Sequence, residues 1–210
     1  MNQLRSLSSL FSLLQADSSK DQGTGRLLNQ TLLCGLSNLI TYSHQDTSPV
    51  SHAAQETRQQ EQLRVFQNIA QQYFPPGSDP YYMTIAILAG HQQVKSVRPN
   101  PAVGCVYVKD QQIIGWGHTE PDGGDHGEVS AAFDHRRNTF KDISGATAYV
   151  ILEPCCHRGP QSCTEFLTNR HVQRVVISAE DPDIRVSGGG IKALRAAGIR
   201  VDVGLLNKVT

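Results

Sequence analysis

ATAYVILEPCCHRG, residues 146–159, decides the reading of this chain. Thr147 to Leu152 is an apolar, β-prone run that reads as a strand, and Glu153-Pro154 closes it. In sheets that alternate strands with helices, sites are built at the carboxyl ends of the strands. Here that end delivers Cys155. Eight residues on, Cys163 opens a segment with helical character over Cys163–Asn169. A thiol at a helix N-terminus ionises readily, as metal binding needs.

The pattern continues outward on both sides. Upstream, the spacing predicts a helix over Tyr82–Gly90, a strand over Ala102–Lys109, a second over Gln112–Gly117 with Asp110-Gln111 as a tight turn, and a helix over His126–His135. Downstream it predicts a strand over Arg174–Ser178, a helix over Gly189–Ala197 and a last strand over Arg200–Gly204. A hairpin followed by β-α units implies an α/β protein: a mixed sheet with helices on both faces. No internal repeat is visible.

The composition shifts near residue 75, so residues 1–78 are expected to form an N-terminal extension and 79–210 the main domain. The first segment is rich in Gln, Ser, Leu and Asn. Leu4, Leu7, Leu10, Phe11 and Leu14 fall at helical spacing, as do Leu27, Leu28, Leu32, Leu33, Leu36 and Ile40; a third helix fits Ala54–Tyr73. DSSKDQGTG and SHQDTSPVSH between them read as loops. The extension is therefore expected to be helical, as an element for partners or for oligomerisation, with a poorly ordered extension as the alternative.

The 210 residues carry 19 Lys and Arg against 19 Asp and Glu. That balance, without interleaved basic and aromatic residues, disfavours nucleic acid and a charged membrane surface. No stretch of 18 apolar residues suggests a membrane span. Serines break the mildly amphipathic N-terminus, so a secretory signal is not expected, and the cytoplasm is. Five cysteines, two of them adjacent, suit metal chemistry in a reducing compartment better than a disulfide framework. Cys156, Cys34 and Cys105 read as packing thiols.

His126-Gly127-Glu128 supplies the remaining chemistry. Gly123-Gly124-Asp125 before it makes a turn and a plausible cap, placing His126 and Glu128 in the first turn of a helix. Alone, the pair also fits a surface histidine and a glutamate favoured by the helix dipole. Likewise the cysteines alone fit buried apolar thiols. Together, one His and two thiolates fill three positions of a tetrahedral Zn2+ and leave the fourth for water, the pattern of a catalytic site. Such a metal acidifies its water, and a neighbouring carboxylate can move the protons.

The H-x-E … P-C order resembles the zinc deaminases of bases and nucleosides. More specifically, MTIAILA (83–89), PNPAVG (99–104), GWGHT (115–119), GGDHGE (123–128), ATAYVILEPCCHRG (146–159) and DPDIRVSGGGIKALRAAGI (181–199) resemble the deaminase domain of the bifunctional riboflavin-biosynthesis deaminase/reductase family. The resemblance implies a three-layer α/β/α cytidine-deaminase-like fold. It implies deamination of 2,5-diamino-6-ribosylamino-4(3H)-pyrimidinone 5′-phosphate, an aminopyrimidine nucleotide. His126, Cys155 and Cys163 resemble its zinc ligands and Glu128 its proton shuttle. Asn100 resembles the residue contacting the pyrimidine, His118 and His157 line the same pocket, and the loop from Asp181 to Gly190, with Arg185 and Gly188, lies on the ribose-phosphate side. Gly188-Gly189-Gly190 at a helix start also suits a phosphate. Family members assemble, which implies a homo-oligomer.

Three departures stand out. The family's His-Ala-Glu is His126-Gly127-Glu128 here. The approach to Cys163 is one residue shorter and lacks a threonine. Asp-Pro-Asn-Pro becomes Asp181-Pro182-Asp183-Ile184, placing a carboxylate near the phosphate, with Arg185 as the compensating charge. No reductase domain is seen before Thr210, so a stand-alone deaminase or a separate reductase partner is expected. The rival readings are a deaminase of this fold acting on another aminopyrimidine or a nucleic-acid base, and a catalytically silent zinc-binding relative working through a partner.

Overall fold

A hairpin begins the sheet. Strands β1 (Gly104–Lys109) and β2 (Gln112–His118) pair antiparallel around Asp110 and Gln111, both in the left-handed region at φ 50° and 62°. Two successive positive φ values match the twist of the flanking strands, which is why a two-residue connection suffices. The Tyr82 hydroxyl donates to the Gln111 carbonyl at 2.7 Å and ties the turn down.

The computed structural model describes residues 52–92, 101–121, 123–135, 137–157, 159–183 and 187–207. The helices expected within residues 1–51, together with Cys34, Asn100 and Arg185, lie outside the described residues. The chain parts into two compact units between Pro75 and Pro76. In the first, the described residues form helix α1 (His52–Ala70), with Phe66, Ile69 and Ala70 buried.

The second unit holds helix α2 (Asp79–His91), β1, β2, helix α3 (Gly127–Ala132), short strands β3 (Phe133–Asp134) and β4 (Thr139–Phe140), strand β5 (Thr147–Leu152), a 3-10 turn (Gly159–Gln161), helix α4 (Cys163–Asn169), strand β6 (Arg174–Ala179), helix α5 (Gly189–Ala196) and strand β7 (Arg200–Val203). The sheet order is β2-β1-β5-β6-β7; β1 is antiparallel to both neighbours, and β5, β6 and β7 are parallel. This is the mixed sheet expected from the sequence.

Strand alternation sorts the layers. Gly104 and Val106 face α2, where a Cβ on Gly104 would meet the Ala86 carbonyl. Cys105 and Tyr107 face the opposite way, and their cross-strand partners Gly117 and Gly115 lie under Ala131 of α3. Large residues on β1 beside glycines on β2 make the slot in which α3 rests. The parallel crossovers β5-α4-β6 and β6-α5-β7 run in one direction with one hand, so α4 and α5 share the α3 face. The result is three layers: α2, the sheet, then α3, α4 and α5.

Among the described residues, the element that departs most is the helix expected over His126–His135. It ends at Ala132, because Phe133 turns extended (φ −80°, ψ 133°) and pairs with Phe140. The two phenyl rings meet edge-to-face at 5.4 Å, and Phe166 of α4 continues the stack.

Candidate active site

Three element ends bring the chemistry together. His126 is the N-cap of α3, with extended backbone (φ −70°, ψ 159°), so its ring leaves the helix rather than lying along it. Cys155 follows β5. Cys163 is the first residue of α4, behind the N-cap Ser162, whose hydroxyl accepts from the Glu165 N–H at 3.3 Å. The ligand atoms of His126, Cys155 and Cys163 all lie within 4.8 Å of one another. His126 Nδ1 stands 3.3 Å from Cys163 Sγ and 3.7 Å from Cys155 Sγ. Tetrahedral coordination with ordinary Zn–N and Zn–S bonds puts such atoms about 3.6 Å apart. The donor set therefore fits a zinc ion in both chemistry and spacing.

The contact between the two thiols pushes them in opposite directions. Cys155 is held down, chiefly by hydrogen bonding from Cys163, with His126 and the Cys163 N–H (3.4 Å) adding to this against the opposing effect of burial. Cys163 is held up by the same contact, with its own burial and Glu128 adding to the effect. A cation between them would favour the thiolate form of both.

Glu128 is 3% exposed, and burial holds its carboxyl above the usual carboxylate range, with its own backbone N–H and His126 pulling the other way. Its backbone is anchored from below: Tyr107, fully buried on β1, donates to the Glu128 carbonyl at 2.8 Å. A second clamp holds the start of β1. Thr119 donates its N–H to the Val103 carbonyl at 2.8 Å, and its hydroxyl accepts from the Val103 N–H at 3.0 Å. Gly127 sits between these clamps, and a Cβ there would collide with the Val103 carbonyl.

The remaining residues singled out by sequence are spread around this centre. His118 ends β2 with Nδ1 3.2 Å from the Thr119 carbonyl, and burial lowers its affinity for a proton. His157 is exposed on the turn after Cys156. Asp181 accepts from the Asp183 N–H at 2.8 Å. Gly188 is the N-cap of α5 at φ 75°, but its N–H is already taken by the Glu153 carboxylate at 2.9 Å. The glycine-rich helix start read as a phosphate seat thus holds a carboxylate of the chain itself. Cys105 is fully buried, as expected of a core thiol, and Cys156 Sγ packs 3.0 Å from where a Cβ on Gly189 would lie. Sequence reasoning passed over Tyr107, Thr119 and Glu153. The only signal for Thr119 and Glu153 was their place inside the GWGHT and EPCC stretches.

Sheet order, helix layers and a His-Cys-Cys cluster beside a buried glutamate place this chain in the class of cytidine-deaminase-like proteins with a candidate metal centre. Residues 76–179 match the model of that family's cytidine and deoxycytidylate deaminase zinc-binding region. The chain is 41% identical over 132 residues to the diaminohydroxyphosphoribosylamino-pyrimidine deaminase of Buchnera aphidicola subsp. Acyrthosiphon pisum, covering 62% of this chain and 87% of that protein. It belongs to the diaminohydroxyphosphoribosylaminopyrimidine deaminase family. The riboflavin biosynthesis protein RibD of Actinobacillus pleuropneumoniae is 42% identical over 136 residues, 64% of this chain and 35% of that one. A solved structure of Acinetobacter baumannii RibD superposes with a TM-score of 0.56 at 42% identity, over 61% of this chain and 35% of that chain. The chain thus spans about a third of the length of these longer relatives. Among the described residues, no helix is long and apolar enough to cross a membrane.

Proposed function

We propose that the chain is a zinc-dependent aminohydrolase that removes an exocyclic amine from diaminohydroxyphosphoribosylaminopyrimidine in riboflavin biosynthesis. The observation that carries this reading is the convergence of His126, Cys155 and Cys163 beside a buried Glu128, on a scaffold shared with relatives of that name. His126, Cys155 and Cys163 would hold the zinc. When bound, the ion supplies a Lewis acid that makes water nucleophilic near neutral pH.

The chain's own groups do the rest. Glu128 takes a proton from the attacking water and passes protons to the ring nitrogen and the departing amine, so that the water oxygen bonds to the ring carbon and becomes its carbonyl while the C–N bond breaks and the amine leaves as ammonia. Burial raises its proton affinity toward the working range, and Tyr107 keeps its backbone fixed while the proton moves. His118, disposed to be neutral, lines the pocket with His157; Asn100 reads the pyrimidine; and Asp181, Arg185 and Gly188 border the ribose-phosphate side. Residues 1–78 form a separate extension ahead of a deaminase domain spanning 79–210. The protein works in the cytoplasm as a homo-oligomer.

Ammonia release from the diaminopyrimidine ribosylamino phosphate tests the reading. The zinc-loaded protein is expected to turn over. Glu128→Gln should lose about 10²- to 10⁴-fold in rate while zinc content stays at one per chain. A wild-type protein that holds zinc but releases no ammonia would overturn the substrate assignment and leave the metal site standing.

A further inference from the structure

Glu153 reads in sequence as the residue that ends a strand, yet it is 5% exposed and surrounded by backbone donors from a distant loop. Its Oε2 accepts from the N–H of Asp181 at 3.2 Å and of Gly188 at 2.9 Å, and its Oε1 accepts from the N–H of Ile191 at 3.1 Å. One carboxylate oxygen thus bridges both flanks of the loop that runs from β6 to α5, and the other holds the first turn of α5. A buried carboxylate is tolerated when it is met by several N–H groups, and a helix N-terminus favours its charge.

The contact is close on both sides. A Cβ on Gly190 would strike the Pro154 carbonyl and lie 3.2 Å from the Glu153 side chain, so only glycine lets α5 approach the segment that carries Cys155. Two residues after Glu153, the Cys155 carbonyl accepts from the Thr164 N–H at 3.2 Å. Residues 153–155 therefore join three things: the metal loop, the start of α4 and the loop at Asp181 and Gly188.

We propose that Glu153 is a positioning residue for substrate binding: it fixes the anchors Asp181 and Gly188 at a set distance from Cys155. This rests on the deaminase reading above, in which that loop borders the ribose-phosphate side. Because Glu153 fills the N-terminus of α5, the substrate's phosphate is met by other groups, and Glu153 acts through the loop rather than by touching substrate. Its removal is felt in KM more than in kcat.

Two variants grade the effect. Glu153→Ala removes both acceptors. Glu153→Gln keeps one oxygen and turns an amide N–H against donors on the other side. The expected result is a rise in KM of about 10- to 100-fold for Ala and a smaller rise for Gln, with kcat within about threefold and one zinc per chain in both. Amide hydrogen exchange at Gly188 and Ile191 should accelerate in the same order. A fall in kcat with loss of zinc would mean that Glu153 serves Cys155 instead, and would overturn the proposal. So would unchanged exchange at Gly188 and Ile191. If the wild-type protein shows no deaminase turnover, the functional reading fails on its own, and the exchange measurement still decides whether Glu153 holds the loop.

Discussion

The two ends of the parallel strands treat charge in opposite ways. At the amino ends, Arg174 on β6 makes a two-pronged bond to Asp79 of α2 at 2.8 and 2.6 Å and reaches Asp202 of β7 at 2.7 Å, while the Tyr149 hydroxyl donates to Asp79 at 2.7 Å. Each ionised group meets an opposite charge, so Asp79 is held below the usual carboxylate range, chiefly by its hydrogen bonds from Arg174. At the carboxyl ends, Glu128 is buried and held upward, and the two thiols are pushed in opposite directions by each other. The first arrangement is satisfied by the chain alone. In the proposed deaminase the second would be completed by a cation and a substrate. Paired charges mark where this fold is fastened, and frustrated ones mark where it works.

The sharpest way to break this contrast is to delete a donor at the working end. Cys163→Ala removes one of the three proposed metal ligands. Zinc affinity is expected to fall by more than about 100-fold, and activity with it. The fold should persist, because α4 keeps its Ser162 cap and its buried Leu167. Metal titration alongside circular dichroism checks both. Zinc bound as tightly as in the wild type would show that the cluster is not the metal centre.

The convergence of His126, Cys155 and Cys163 was legible in the sequence because each stands at an element end set by local signals. A turn precedes His126, which is itself the cap in place of the expected Asp125, a proline closes β5, and a helix opens at Cys163. The hairpin at Asp110-Gln111 was legible for the same local reason. What sequence hid was non-local. Phe133 leaves its helix because Phe140 waits across the β3–β4 turn. Arg174 and Asp79, 95 residues apart, meet only once the sheet has formed. Glu153 is defined by donors 28 to 38 residues downstream, so its role could not be read from its neighbours.

Gly127 sharpens the comparison at intermediate scale. Helix propensity alone predicts that Gly127→Ala gains about 1 kcal/mol. Here the added methyl would press on the Val103 carbonyl, which Thr119 clamps from the other side. Overpacking against fixed backbone costs about 1–3 kcal/mol, so net destabilisation is expected, together with slower turnover as His126 and Glu128 shift. Denaturant unfolding separates the two signs. A more stable variant with full activity would show that the start of β1 yields easily.

The smallest effect belongs to the fastened end and appears only in acid. Asp79 has a folded-state pKa below its unfolded value, so its bonds to Arg174 contribute fully above the unfolded pKa, near 4. That contribution is lost as pH falls through the lower folded-state value, because the unfolded chain then binds the proton more readily than the folded one. Asp79 is more than a third exposed, so solvent screens part of the interaction, and the slope should be shallow. Asp79→Asn is expected to be less stable than wild type at neutral pH and to converge with it as the pH falls through the folded-state value. Ammonia release should stay unchanged, since the network lies at the opposite ends of the strands from Glu128. Parallel stability curves across that range would place the acid sensitivity elsewhere, and a loss of turnover would show that the two ends are not independent.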